Sequence, residues 1–261
     1  MPLFHHKNCQ MSYDTYGSEG DWVTLVNGHT RSKADFRLFA KKLVAGGFRV
    51  LTFDNRGAGD TTCEGDFTFE DMVSDIKALW GHLSIETSHL FGVSMGGWIC
   101  QMLAAENSGF VKSLVLVSTS ALVLKNNAQT SQFGQSADSI MDKLEPYFSK
   151  GYQEKNQLVI KAMVKQIGKL NEDGAFDAMA LSQRAAIARL SLDGVQAKIS
   201  MPTLVLHGDQ DRIISLDHGK KLAEAIKTAQ LEVFEGAGHL LLAEAALMVY
   251  QKAIGFFGAN P

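Results

Sequence analysis

Cysteine is scarce. The 261 residues carry three, Cys9, Cys63 and Cys100, odd in number and without motif spacing, which predicts reduced thiols in a cytoplasmic protein rather than a disulfide framework. A basic excess is also missing. Lys and Arg total 25 against 28 Asp and Glu, for a net charge of −3, and no Lys/Arg cluster exceeds a pair, so the footprint of a nucleic-acid partner is absent. No apolar run is long enough to cross a bilayer, which argues against membrane insertion. The opening Met1-Pro2-Leu3-Phe4-His5-His6-Lys7 lacks a cationic segment followed by an apolar one, so no secretory leader is expected. His5-His6 has no Cys or carboxylate at ligand spacing and reads as strand surface rather than a metal site. No internal repeat or low-complexity tract is present.

What remains is an ordinary globular composition, 46% hydrophobic and 20% charged, in a length that allows one α/β domain with an insertion. Its centre is Leu90-Phe91-Gly92-Val93-Ser94-Met95-Gly96-Gly97, a G-x-S-x-G between an apolar stretch and an amphipathic run, Trp98 to Ala105. That context predicts strand, sharp turn and helix. A serine on such a turn projects its hydroxyl clear of the sheet, and only small residues fit two positions either side of it. The helix beginning at Met95 aims free N–H groups and a positive dipole end at the same point.

Around this turn the chain alternates. Strands are expected at 10–16, 22–26, 49–53, 88–91 and 111–117. Helices are expected at 32–45, with Phe36, Leu38, Phe39, Leu43 and Val44 as the buried stripe, and at 69–83. Short connections between strands and helices argue for a parallel sheet covered on both faces. Residues 121–195 read almost wholly as helix. Then the alternation returns: strand 203–207, helix 216–226, strand 230–234 and a final helix 240–257. The expected division is a core domain of 1–120 and 196–261 interrupted by a helical insertion over 121–195.

An activated serine needs a base, and the base needs an orienting acid. Two strand ends supply them, Leu206-His207-Gly208-Asp209-Gln210-Asp211 and Phe234-Glu235-Gly236-Ala237-Gly238-His239. Loops beyond the carboxyl ends of parallel strands are where such sheets place their chemistry.

With Asn27-Gly28-His29, Asp54-Asn55-Arg56-Gly57-Ala58-Gly59, Gly92 to Gly97, Met201 to Asp211 and Gly236 to His239, the chain resembles a cap-bearing α/β-hydrolase of the esterase, lactonase and C–C hydrolase type over nearly its whole length. The resemblance implies an α/β-hydrolase fold with residues 121–195 as a helical cap. It implies Ser94 as nucleophile and His239 as general base. Asp211 takes the acid role, three residues after the glycine that ends the strand, and Asp209 is left to hold the turn. The oxyanion hole falls to the backbone N–H groups of His29 and Met95, with the His29 imidazole only filling space. Two positions depart from the pattern: Asn27 stands where many relatives have His, and Asp60 brings a carboxylate near the site, either disfavouring anionic substrates or bonding its own loop.

Arg56 is expected to anchor its loop. Arg31 is a solvated residue or a clamp for a substrate carboxylate. The methionines Met141, Met163 and Met179 are expected in the core of the insertion more than in a pocket, although flexible Met also suits a site for apolar acyl chains. Leu122 and Leu240, in apolar stretches flanking the site, are expected to line the pocket. The implied activity is hydrolysis of a small to medium carboxylic ester, lactone or thioester through an acyl-enzyme, with a small-molecule substrate and water as partners and no metal or organic cofactor. Alternatives with the same triad are a C–C bond hydrolase, an acyl transferase, or a ligand receptor that retains a hydrolase site.

Overall fold

The computed structural model describes residues 2–106, 108–123 and 137–261. Its strands are β1 (Leu3–His6), β2 (Cys9–Tyr16), β3 (Trp22–Val26), β4 (Arg49–Phe53), β5 (Thr62–Cys63), β6 (Ser88–Val93), β7 (Val111–Val117), β8 (Thr203–Gly208) and β9 (Ala229–Phe234). They form one sheet in the order β1-β2-β4-β3-β6-β7-β8-β9, with β5 on β2. The pairings β1–β2, β2–β4 and β2–β5 are antiparallel, and those from β4 to β9 are parallel.

The parallel strands are apolar on both faces because both faces are covered. Side chains alternate across the sheet. Leu90, Leu114, Leu116 and Val205 enter one core with Ile76, Ile99 and Leu103. Phe91, Val115, Val117, Leu204 and Leu206 enter the other with Phe39, Leu43 and Phe257. The first core is covered by α2 (Phe69–His82) and α3 (Met95–Glu106), the second by α1 (Arg37–Ala45) and α10 (Ala246–Gly258). A capping box starts α2: Thr68 Oγ1 accepts from the Asp71 amide at 3.3 Å and Asp71 Oδ2 accepts from the Thr68 amide at 3.1 Å, satisfying two of the donors a helix start leaves open. The run after Ser94 is not amphipathic in place: α3 is buried on every side from Met95 to Ala104.

Between β7 and β8 the chain forms α4 (Ala137–Leu144), α5 (Lys150–Lys155), α6 (Gln157–Leu170) and α7 (Ala175–Arg189). These helices have their own small core of Ile140, Leu144, Phe148, Ile160, Val164, Ile167 and Phe176. After β8 come α8 (Leu216–Ala225), α9 (Leu241–Glu244) and α10.

Three further expectations are corrected. The helix expected over 32–45 begins as a 3-10 turn at Lys33–Phe36. Its tighter winding rotates the face that follows, and Leu38 is 70% exposed. The last helix is two pieces, broken at Ala245 (φ −134°). Of the stretch 121–195 expected as helix, residues 124–136 lie outside the described residues. Finally, Cys9 and Cys63 face each other on β2 and β5 and form a disulfide, so only Cys100 is a free thiol, buried with its pKa pushed up by that burial. No helix among the described residues is long and apolar enough to cross a membrane.

Arg56 anchors its loop as expected. Its Nε and Nη2 form two bonds to the Asp75 carboxylate, at 2.6 and 2.8 Å, and Nη1 reaches Asn8. Both partners of the pair are buried. Burial pushes the Asp75 carboxyl up, and the guanidinium opposes that shift.

His89 on β6 sets a pH dependence of stability. Its ring is fully buried, with Nδ1 2.8 Å from Ser113 Oγ; Nε2 has no hydrogen-bond partner among the described residues, and Asp21 Oδ2 lies 4.0 Å from it. Burial lowers its pKa from 6.5 to about 4, with Asp21 opposing and Lys112 adding. Between those values the unfolded chain binds a proton that the native state refuses, so stability is full above 6.5 and declines as pH falls toward 4. At about 1.4 kcal/mol per tenfold change in proton affinity, the contribution is on the order of 3 kcal/mol. Urea denaturation of wild type and His89→Gln at pH 7.5 and 4.5 is expected to show a shallower pH dependence in the variant.

Candidate active site

The carboxyl ends of β3, β6, β8 and β9 meet beneath the helical insert. Ser94 stands between β6 and α3 at φ +52°, a left-handed conformation that an L residue adopts only under constraint. Its amide donates to Val117 O at 2.8 Å, and its carbonyl accepts from the Gly97 amide and from Thr119 Oγ1 at 2.9 and 2.8 Å. The flanking glycines are required by contact. A Cβ at Gly92 would lie 2.7 Å from Gly96 O and 2.8 Å from Cys100 Sγ, and one at Gly96 would collide with Val26 O.

Two carboxylates follow strand β8, and they take different partners. Asp209 Oδ1 accepts the Gly236 amide at 2.7 Å, tying the loop after β8 to the one after β9. Asp211 Oδ1 accepts the amides of Ile213 and Ile214 at 2.8 and 2.9 Å, leaving Oδ2 for His239 Nδ1 at 2.8 Å. His239 Nε2 lies 3.1 Å from Ser94 Oγ. An ionised carboxylate only accepts, so Nδ1 carries the proton and Nε2 is free to accept from the serine. Burial by itself would push Asp211 up. The charge of His239 and the bonds from His207 and His239 overcome it and hold the carboxyl well below the usual range.

His207, within the β8 strand motif, is a residue whose part in the site the sequence does not show. It is buried, donates from Nε2 to Ile214 O at 2.7 Å and lies 3.4 Å from Asp211 Oδ2. It thus packs under the acid and steadies the loop that the acid caps.

The loop after β3 brings His29 to the serine. Asn27 holds this loop: its Nδ2 donates to Ser32 O and Asp35 Oδ2 and its Oδ1 accepts the Gly28 amide, at 2.9, 3.2 and 2.9 Å. Among the described residues, neither the His29 nor the Met95 amide is taken up by a backbone acceptor. The His29 imidazole does more than fill space: Nε2 bonds to Ala180 O at 3.1 Å on α7. Burial lowers its pKa to about 4, the Ala180 bond opposing and Arg184 adding, so the ring is neutral at pH 7 and Nε2–H is the donor.

A cavity of about 370 Å³ opens over Ser94 and His239. Its apolar wall includes Trp98, Leu144, Ile167, Phe176, Ile187 and Leu240. Met141 and Met163 pack against the insert's core as expected, Met163 also lines the cavity, and Met179 lines it as well. Leu122 does not line it. Ser120 Oγ bonds back to Leu122 O, and the leucine side chain is 56% exposed. The polar wall includes Arg31, Asp35, Asp60 and Arg184. Arg31 Nε is bonded to Asp35 Oδ2 at 2.7 Å. Asp60 both lines the cavity and accepts from Lys33 Nζ at 3.1 Å, while that ammonium also meets the buried Asp54 at 2.9 Å. Burial would lower Lys33, but the two carboxylates raise it.

This sheet, turn and cavity are those of an α/β-hydrolase. The family model described as serine aminopeptidase, S33, matches residues 19–246, and the chain belongs to that hydrolase family. It is 25% identical over 250 residues to the non-heme chloroperoxidase CPO-A1 of Kitasatospora aureofaciens, covering 88% of each chain. It is 24% identical over 198 residues to 3-oxoadipate enol-lactonase 1 of Acinetobacter baylyi, covering 74% of this chain and 72% of that one. The crystal structure of the enol-lactonase from Burkholderia xenovorans LB400 superposes with a TM-score of 0.86 at 23% identity, over 98% of this chain and 100% of that one, a likeness of fold.

The two carboxylates after β8 have separable effects. Asp211→Asn is expected to lower kcat by about 10⁴-fold, because His239 loses the acceptor that fixes its tautomer. Asp209→Asn touches only a loop bond and is expected to lower it less than about tenfold. Steady-state kinetics on one p-nitrophenyl ester ranks them, and the reverse order would refute the assignment.

Proposed function

We propose that the protein is a serine hydrolase that cleaves a small to medium carboxylic ester or lactone through an acyl-enzyme on Ser94. The observation that carries this reading is the unbroken chain from Ser94 Oγ through the His239 ring to Asp211 Oδ2, at 3.1 and 2.8 Å, on the floor of the cavity. His239 takes the serine proton as Oγ attacks the carbonyl carbon. The amides of His29 and Met95 receive the oxyanion, each worth about 3 kcal/mol in comparable sites. His239 then passes its proton to the leaving oxygen and draws a proton from water for deacylation, while Asp211 stabilises the imidazolium without taking a proton.

In the same reading, residues 121–195 act as a cap that shapes the acyl pocket. Its apolar side chains favour neutral acyl groups, by roughly 25 cal/mol for each Å² withdrawn from water. A lactone is the second substrate form, favoured by the relatives named as enol-lactonases.

Ser94→Ala is expected to reduce ester hydrolysis by at least about 10⁴-fold with an unchanged circular dichroism spectrum. Substantial activity left in that variant would remove Ser94 as nucleophile. Across acetyl, butyryl, octanoyl and succinyl esters of one alcohol, kcat/KM is expected to peak at the short neutral chains and to be at least about tenfold lower for succinyl. A succinyl preference would overturn the apolar pocket and assign substrate contact to Arg31 or Arg184.

A further inference from the structure

The loop that carries the His29 amide is held from below by its own domain and from above by one side chain of the insert. That side chain is Gln183, on α7 and fully buried. Its Oε1 accepts the Thr30 amide at 2.7 Å, and its Nε2 donates to Arg56 O at 2.8 Å. Thr30 follows His29 directly and sits at φ +61°, a conformation that a β-branched residue holds only when its surroundings impose it. The side chain is closely enclosed: a Cβ on Gly57 would lie 3.1 Å from Gln183 Cγ. One turn earlier on the same helix, Ala180 O receives the His29 ring.

We propose that Gln183 is a positioning residue for the oxyanion hole: by binding the Thr30 amide it sets the direction of the neighbouring His29 N–H, so that the hole is complete only with α7 docked. The inference rests on the hydrolase reading above. An amide that bonds the transition state rather than the substrate acts on kcat more than on KM. Misplacing a pre-set group by about 1 Å lowers the rate by about 10²-fold. Gln183 touches no reacting atom and acts only through the backbone that follows His29.

The test compares wild type with Gln183→Met, which has no acceptor for Thr30, Gln183→Asn, which withdraws the acceptor by one methylene, and Gln183→Glu, which keeps the acceptor and, with its buried carboxyl protonated, also donates to Arg56 O. Ser182→Ala, on the same helix, is the control. Three quantities are read: kcat and KM on p-nitrophenyl butyrate, and the affinity for butaneboronic acid, followed by the fluorescence of the cavity residue Trp98. The boronic acid bonds Ser94 Oγ as a tetrahedral adduct and so reports on the hole directly.

Gln183→Met is expected to lose about 10²-fold in kcat, with KM within about threefold, and to lose boronate affinity by a similar factor. Gln183→Glu should recover at least about tenfold of both, and the control should match wild type. If the Met variant does not fold, the Asn variant takes its place in the same comparison. Variants that match wild type in kcat and boronate affinity would overturn the proposal, as would a fall in kcat without a fall in boronate affinity, or a Glu variant no better than Met. Wild-type protein that neither turns over esters nor binds the boronate would instead sink the hydrolase reading beneath it.

Discussion

The arrangement hangs on one backbone constraint, the left-handed conformation of Ser94. A non-glycine residue there costs on the order of 1–3 kcal/mol, and it persists because its surroundings leave no alternative. Val117 O holds its amide, and Gly97 and Thr119 hold its carbonyl. Two glycines allow β6, α3 and the end of β3 to approach at distances no side chain permits. The strain is therefore balanced by the packing of the central strands, and the hydroxyl it projects is aimed before any ligand arrives. Everything brought to that hydroxyl comes from the ends of neighbouring parallel strands: His29 after β3, Asp211 after β8 and His239 after β9.

Those strand ends are also where the helical insert is fastened. Arg212, beside the acid, bonds to Glu145 and Phe148 O. Glu244 accepts from Ser149 and from the Gly238 amide, next to the base, and the Leu240 amide donates to Tyr147 O. Helix α7 meets the loop of His29 and Thr30. The loops after β3, β8 and β9 thus each carry a link to the insert within a few residues of His29, Asp211 and His239. The links are polar and directional, and they fix position more than they add stability.

The frame was legible in the sequence because its signals are local. The alternation of apolar runs and turns marked the strands, the spacing of Gly92, Ser94 and Gly96 marked the strained turn, and the register after Gly208 separated Asp211 from Asp209. What escaped depends on contacts between distant segments. Thr62-Cys63 is too short to read as a strand, so its pairing with β2, and hence the bridge from Cys63 to Cys9, left no trace in periodicity. Leu122 is apolar, yet the turn after β7 points it outward, and hydropathy has no direction. Gln183 looks like a solvated helix residue; it is buried by loops more than a hundred positions away along the chain.

The separate core of the insert has a consequence for how such a molecule can change. Ile140, Leu144, Phe148, Ile160, Val164, Ile167 and Phe176 pack chiefly against one another, while the sheet keeps its own two cores. The outer helices of the insert therefore behave as an exchangeable part: their cavity-facing residues can be rewritten without repacking the sheet, whereas Ala186, Leu190 and Leu192 at the insert's end belong to the sheet's first core and must be kept. The exchange has a grammar, since any replacement must present a carbonyl to His29, an acceptor to Thr30 and a hydroxyl to Glu244 at the same points. New specificities are reached by variation between those anchor points, and the anchors themselves are what a transplanted segment would have to inherit.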